Sequence, residues 1–487
     1  MNTSVLAVSI GPVQDFIAQA RRSRDLWFGS HVLSELARAA AREALAAGAK
    51  TLVFPALELG DSELEPCDAP LRPKSDQPPW NIGNVLLLVV PASDPLAIAK
   101  RMRDAATGRW QALASSVRND GSVRAMLADG IDEVWDEQID SLLEIFAAFC
   151  PVDGTTSYSK ARDNVMQALA ARKALRDFRP WIHDRAGAPK SSLDGGRVSV
   201  LAKAFEAKKA RRRFRLLDGE QLDAVGVVKR CGGAPEQFVP LANVALARWV
   251  ARCRKHCPYD FARLCSLCRE HHVSRVNRRD LGWLAWQEDG TAFDAELLLA
   301  DRLAASLEDY DITDKTVVEQ FQQTIATMTA AKKVGKPPVP HVCCLVADGD
   351  RMGSAIGDLA NADEHREVSI RLATFAARAR KIVNEHGFTV YAGGDDVLGF
   401  VSARDSLSVA EKLRDAFADE VGSIAGVREA PTLSVGLGIG HIFDGMAHLL
   451  ELGRRAERLA KGHAAAAPRN AIGILVDKRS GGEAMFR

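Results

Sequence analysis

Long apolar runs, an excess of charge and an export signal are all missing from this sequence of 487 residues. No stretch reaches the roughly 20 uncharged apolar residues that a membrane-spanning helix requires, so a membrane reading is excluded. The opening MNTSVLAVSIGPVQDF has no basic region followed by a long apolar stretch. No secretory signal is read there, and the cytoplasm is the expected compartment. Lysine and arginine number 64 against 63 aspartates and glutamates, so net charge argues neither for nor against an anionic partner. Nine cysteines, four of them in one short segment, fit reduced thiols or metal ligation better than a disulfide framework.

What is present is an ordinary globular composition, 47% hydrophobic and 26% charged, in a chain too long for one core of about 250–300 residues. Apolar periodicity predicts strand VLAVSI, a helix over 14–46, strands TLVFP and NVLLLVVP, and a helix over 95–116. This is a small α/β unit, expected at 1–116. A mostly helical stretch carrying SSLDGGR, a basic run and most of the cysteines follows over 117–336. Tandem prolines at Pro337 and Pro338 punctuate the chain. Beyond them, 337–487 reads as a second α/β unit: strand HVCCLVAD, helix over 363–386, hairpin FTVYAGGDDVLGFV, helix over 403–418, strand TLSVGLGIG, helix over 446–462 and strand AIGILVD.

The chemistry concentrates in that last unit. Gly393 and Gly394 suit a tight hairpin turn, which places Asp395 and Asp396 at a strand tip. Ionised carboxylates are costly there without a compensating cation. HVCCLVAD delivers Asp348 at a strand end, followed by Gly349 and Asp350, and adjacent strands would bring that end beside the turn. Oxygen donors without imidazole select Mg²⁺ or Mn²⁺, and a pair of ions about 3.5–4 Å apart clamps both oxygens of a phosphoryl displacement. The alternative is a polar hairpin turn and nothing more. Lys461, in the last turn of the final helix, faces either triphosphate oxygens or the helix dipole. Ser434 is either a phosphate contact or a packing residue.

Two further clusters stand out. Cys253, Cys257, Cys265 and Cys268 give C-x₃-C-x₇-C-x₂-C, close enough in sequence to surround one structural zinc. His256, His271 and His272 offer substitutes, so the ligand set stays open; the alternative is free thiols in a helical hairpin. Lys208, Lys209, Arg211, Arg212, Arg213 and Arg215 form a positive run balanced nearby only by Glu206. Such a run neutralises nucleic-acid phosphates or a partner, or is a solvated helix face. Arg21, Arg22 and Arg24 make a smaller cluster.

These strings resemble the large, polymerase-like subunit of type III CRISPR effector complexes, in its type III-B form. IGPVQDFIAQARRSRDLWFGSHVLS looks like that family's first palm, RKALRDFRPW, PKSSLDGGR and LDGEQLDAVGVVKR like its helical middle domain, and VADGDRMG, YAGGDDVLGF, LSVGLGIGH and ERLAKG like its second palm. The resemblance implies two ferredoxin-like palm domains of the nucleotide cyclase or polymerase type, separated by a mostly helical domain. The second palm would be catalytic, with Asp348, Asp395 and Asp396 as metal ligands and Gly349, Asp350, Gly393, Gly394, Ser434 and Lys461 around the nucleotide. It implies target-RNA-activated conversion of ATP into cyclic oligoadenylate, with Mg²⁺ or Mn²⁺, beside RNA-binding backbone and guide-5′-end-binding subunits and through them guide and target RNA. An HD-type nuclease domain and a C-terminal helical domain are not read, and His183-Asp184 has no companion histidines, so DNA cleavage is not expected. Around LDAVGVVKR, Asp223 and Gly226 stand where the family often has zinc-binding cysteines. A non-catalytic scaffold and a different palm-type cyclase are the competing readings.

Overall fold

The computed structural model describes residues 3–67, 81–175, 187–287, 289–424, 426–462, 468–479 and 481–487. His183, Asp184 and part of RKALRDFRPW lie outside the described residues. Strands β1 (Thr3–Gly11), β2 (Thr51–Phe54), β3 (Val85–Pro91) and β4 (Glu144–Val152) form one sheet in the order β2-β3-β1-β4. A small hairpin pairs β5 (Arg275–Asn277) with β6 (Thr291–Phe293). A six-stranded sheet then holds β7 (His341–Asp350), β8 (Gly387–Gly393), β9 (Asp396–Ser402), β10 (Thr432–His441), β11 (Ile472–Val476) and β12 (Ala484–Phe486), in the order β12-β11-β10-β7-β9-β8.

The two sheets are built on one plan. In each, a strand, a helix, two strands, helical chain and a fourth strand follow one another, and the fourth lies beside the first: β4 beside β1, β10 beside β7. This is the pair of ferredoxin-like palms that the sequence implied. The first palm does not close at residue 116, however, because its fourth strand is 144–152. That strand hides in LLEIFAAF, whose leucines and alanines favour a helix as readily as a strand, and only one face of it is covered.

Alternation explains how each sheet is covered. Leu6, Val8 and Ile10 of β1 face the helices Ser23–Ala46 and Pro95–Arg118, whereas Val5 and Ala7 face Ala161, Val165 and Leu169 of the helix Tyr158–Ala174. In the second palm, Cys343 and Leu345 pack with the helices Ala362–Asn384 and Ser406–Val421, while Val342 and Cys344 pack with the helix Met446–Lys461 and with Trp249. The segment expected as a separate helical domain has no core of its own. Leu222, Val225 and Val228 belong to the first palm's core, and Trp249, Phe261 and Phe321 to a core continuous with the second palm.

The long helix expected over 14–46 is interrupted. It consists of Gln14–Ala18 and Ser23–Ala46, because the buried Lys229 ammonium takes the carbonyls of Phe16 and Gln19 and the Asp25 carboxylate accepts from the N–H groups of Arg21 and Arg22 at 2.9 and 3.0 Å. Asp25 is itself held by fully buried Arg230, at 2.6 and 2.8 Å. Arg230 also meets Glu220 at 3.0 Å, so both halves of a buried charge set are compensated.

The palms are bolted together. Arg162, buried on the helix Tyr158–Ala174, donates to the carbonyls of Ile356, Gly357 and Leu359 at 2.6, 3.1 and 3.2 Å, satisfying the open C-terminal end of the helix Met352–Gly357 that follows β7. Beside it the Tyr158 hydroxyl meets His365 Nδ1 at 3.0 Å, with burial pushing that imidazole down to about 4 so that it stays neutral. Among the described residues no helix is long and apolar enough to cross a membrane.

Glycines let the helix Met446–Lys461 lie directly on β10. A Cβ at Gly436 would stand 2.1 Å from the backbone nitrogen of Glu457, and one at Gly438 2.3 Å from that of Gly453. Gly438→Ala is therefore expected to cost about 1–3 kcal/mol by overpacking and to lower the melting temperature. Gly108, in a helix interior with nothing within 4 Å of a Cβ, is the contrast: Gly108→Ala should be neutral or raise stability by up to about 1 kcal/mol. Thermal denaturation of the two variants checks both signs.

Candidate active site

Pairing between β7 and β9 runs to Ala347↔Val397, which sets the next residues, Asp348 and Asp396, side by side at the ends of neighbouring strands. Between β8 and β9 the ladder closes at Gly393↔Asp396, so the two-residue turn is Gly394-Asp395 and Gly393 is the last residue of β8. The turn lies one residue later than the expected Gly393-Gly394. Gly394 has φ +63°, a conformation glycine adopts without steric cost. Gly349 permits the closure: a Cβ there would stand 2.8 Å from the Cβ of Asp395. Carboxylate oxygens of Asp348, Asp395 and Asp396 consequently all lie within 4.8 Å of one another.

Like charges at this distance repel. Burial and then the neighbouring Asp396 push the Asp395 carboxyl up to about 7, and burial pushes Asp396 up to about 6. Asp396 has surface open to solvent, yet protein surrounds it on most sides; it sits at the mouth of a cleft. Lys461 supplies one compensating charge, pairing its ammonium with Asp348 and, at 3.2 Å, with Glu457 one turn earlier. Burial and Arg469 bring that lysine down to about 8. The Tyr391 phenol, raised by burial and by both hairpin aspartates, stays neutral beside them.

Asp350 and Ser434 do not join the cluster. The buried Asp350 carboxylate accepts from Thr432 Oγ1 at 2.8 Å, Ser434 Oγ at 2.9 Å and the N–H of Asn470 at 3.0 Å. Ser434 is fully buried and its hydroxyl is spent on that bond. These two residues fix the end of β7 against β10; for Ser434 this is the packing reading, and the Asp350 carboxylate is engaged within the chain. Gly393 is closely packed: a Cβ there would meet the Tyr391 hydroxyl at 2.7 Å and the Asn81 carbonyl at 3.0 Å.

Asn81 comes from the first palm and carries no sequence signal. Its Oδ1 accepts from the N–H of Ala392 at 3.1 Å and from Arg380, and its Nδ2 donates to Ser34 Oγ at 3.2 Å. The hairpin that carries two aspartates is thus held by the opposite palm. Glu457 was also missed, although its i,i+4 spacing to Lys461 was readable. Between the palms runs a cleft of ≈ 870 Å³ lined by Ser9, Gly11 and Asn84 on one side and by Asp348, Asp396 and Lys461 on the other.

The remaining sequence candidates fall elsewhere. No three of Cys253, Cys257, Cys265 and Cys268, with or without the neighbouring histidines, form a metal-holding group among the described residues. Cys253, Cys265 and Cys268 are buried in the apolar core, where burial holds their thiols protonated, Cys253 up to about 12. They are packing residues on facing helices, so the expected tetrahedral set is not assembled. The basic run is largely engaged within the chain: Lys208 and Arg212 pair with Asp311, Arg213 with Asp120, Arg215 with Asp294, and buried Arg211 donates to the carbonyls of Ala202 and Glu220. The balancing acids lie far away in sequence, which is why Glu206 was the only one visible.

Comparison with known proteins finds matches in both palms. The family described as "Cas10/Cmr2, second palm domain" matches residues 341–473, and "CRISPR-associated protein Cmr2, N-terminal" matches residues 5–115. The chain is 25% identical over 495 aligned positions to the CRISPR system Cmr subunit Cmr2 of Pyrococcus furiosus, covering 85% of this chain and 55% of that protein. It therefore spans little more than half the length of that relative. Among solved structures it resembles a chain of the type III-B Cmr-beta complex in the apo state, with 13% identity, 97% of this chain and 69% of that chain covered, and a TM-score of 0.66. It likewise resembles a chain of Cmr-beta bound to cognate target RNA, with 14% identity, 98% and 70% covered, and a TM-score of 0.67. At these identities the structural likeness is one of fold.

The raised carboxyls make stability depend on pH. The native pKa values of about 7 and about 6 exceed the ordinary 3.8, so between about pH 4 and 7 the folded protein holds protons that the unfolded chain has released. Their contribution is greatest below about pH 4 and is lost as pH rises through 7. Replacing both residues, Asp395→Asn with Asp396→Asn, is expected to raise the melting temperature at pH 8 in chelator, with the gain shrinking toward pH 4. A variant that melts lower than wild type at pH 8 would contradict a repulsive cluster.

Proposed function

Since the chain is Cmr2-like, of the type III-B kind, with a nucleotidyltransferase-like second palm, we propose that it is the ATP-polymerising subunit of an RNA-guided effector complex, making cyclic oligoadenylate when target RNA binds. The observation that carries this reading is the convergence of Asp348, Asp395 and Asp396, with Asp348 and Asp396 lining the cleft between the palms.

The donor set fits a divalent cation. It offers hard oxygens without imidazole or thiolate, and two of its carboxyls are held above their ordinary range in a way that a cation would reverse. Asp348, Asp395 and Asp396 would hold Mg²⁺ or Mn²⁺, which when bound supplies charge compensation at the attacking and leaving oxygens of phosphoryl transfer. The 3′-hydroxyl of one ATP would attack the next, and pyrophosphate would leave. Lys461 would meet phosphate oxygens once Asp348 is engaged elsewhere. Asp350, Ser434, Thr432 and Asn470 keep the end of β7 still, and Asn81 keeps the hairpin still. The first palm, whose sequence has no Gly-Gly-Asp-Asp string, would provide the opposite wall for a second nucleotide. Partners of this chain would be the backbone and guide-end subunits of such a complex, with guide and target RNA reached through them.

The test is incubation of the reconstituted complex with α-labelled ATP, Mg²⁺ or Mn²⁺ and target RNA, with products separated by chromatography and identified by mass. Wild type is expected to yield adenylate products only with target RNA, and Asp395→Ala with Asp396→Ala to yield none. Lys461→Ala should slow turnover on the order of 100-fold, the scale seen when one charge-stabilising donor is removed. Products undiminished in the double variant would overturn the assignment. No product from wild type while RNA is bound normally would favour the scaffold reading.

A further inference from the structure

A second cleft of ≈ 960 Å³ lies away from the acidic cluster, where the start of the helix Ser23–Ala46, the β5 edge and the loop 442–446 after β10 come together. Its lining includes Arg21, Arg22, Arg24, Arg275 and Arg302. Arg24 is the unusual one. Only 4% of it is exposed, and its guanidinium lies over the rings of Phe238 and Phe214, with centroids at 4.8 and 5.6 Å. Stacking satisfies the faces of a guanidinium and leaves its N–H edges unmet. Nε and Nη2 of Arg24 are buried with no protein acceptor. Leaving such donors unpaired costs about 1–3 kcal/mol each, a cost that an acceptor-rich anion would remove.

The surroundings sharpen the choice. Burial and the nearby Arg215 and Arg230 disfavour the charged form of Arg22, and burial brings Arg24 down to about 10. Acids also line the cleft: Glu220 is committed to Arg230 through bonds of 3.0 and 3.2 Å, Asp444 pairs with Arg479, Glu296 stands among Arg22, Arg215 and Arg302 and offsets part of their charge, and Glu236 and Asp309 complete the acidic lining. Arg215 is taken by Asp294 and Arg213 by Asp120. Arg302 lies over the exposed Phe443 ring at 5.0 Å, giving an aromatic surface beside the cations.

We propose that this cleft binds a phosphate group, with Arg24 as its buried anchor and Arg22 beside it. Guanidinium forks match phosphate oxygens, and the flanking Phe443 suits a phosphate that carries a base. That phosphate arrives either on a free nucleotide or in a single-stranded RNA backbone. The site is independent of Asp348, Asp395 and Asp396, so its test needs no turnover.

Binding of three probes to the full chain in chelator, at fixed ionic strength, is the experiment: inorganic phosphate, ATP and a short single-stranded oligoadenylate, followed by calorimetry. Wild type should bind at least one, and Arg24→Gln should weaken it by about tenfold or more, as expected for losing one charge-assisted pair. Arg22→Gln, at a less buried position, guards against misfolding of the first variant and should weaken it in the same direction. Tightest binding of the oligonucleotide identifies the RNA backbone as the source; tightest binding of ATP or phosphate identifies a free phosphate. Failure of all three probes to bind wild type, or undiminished binding in both arginine variants, overturns the proposal.

Discussion

Mutual repulsion among three carboxylates is the constraint around which this chain is arranged. Left alone, Asp348, Asp395 and Asp396 would move apart, yet their oxygens stay within 4.8 Å. The fold keeps them there by removing the freedom to relax. β7 is pinned through Asp350 to Thr432, Ser434 and Asn470. The turn is pressed against the bare backbone of Gly349, and Lys461 offsets part of the charge. Each device costs little by itself, and together they store an unfavourable arrangement of the kind that functional sites tolerate and packing cores do not.

Much of this was legible in the sequence because the signals were local. A Gly-Gly-Asp-Asp string between two apolar runs, and Asp-Gly-Asp at the end of another, name the strands and the acids directly. Strand and helix periods showed two α/β units, and the family resemblance implied that they were palms. The register of β7 against β9 could not be read that way, and that register decides that Asp348 joins the cluster whereas Asp350, two residues on, is spent on hydroxyls. Ser434 is the same lesson from the partner strand: the sequence left it between a phosphate contact and a packing residue, and what its hydroxyl bonds to was a property of the neighbouring strand's ladder.

Where the reading went astray, the deciding partner lay far off along the chain. The run from Lys208 to Arg215 looked unbalanced, but its acids are Asp120, Asp294 and Asp311. Cysteine spacing suggested a metal, but two facing helices buried three of the thiols in a shared core. The fourth strand of the first palm was lost in a segment of high helix propensity, and the separate middle domain dissolved into the cores on either side. Asn81 had no signature at all; its importance comes only from standing against Ala392.

The grip of Asn81 on the hairpin and of Arg162 on the helix after β7 has a mechanical meaning. One palm supplies the acids, and the other holds the two pieces of chain that carry them. A small rotation of the first palm therefore works as a lever, spoiling or restoring the spacing of oxygens that must stand within about 0.5 Å of a productive arrangement. Whatever leans on the outer surface of the first palm is thereby coupled to the spacing of the three carboxylates in the second, without touching them.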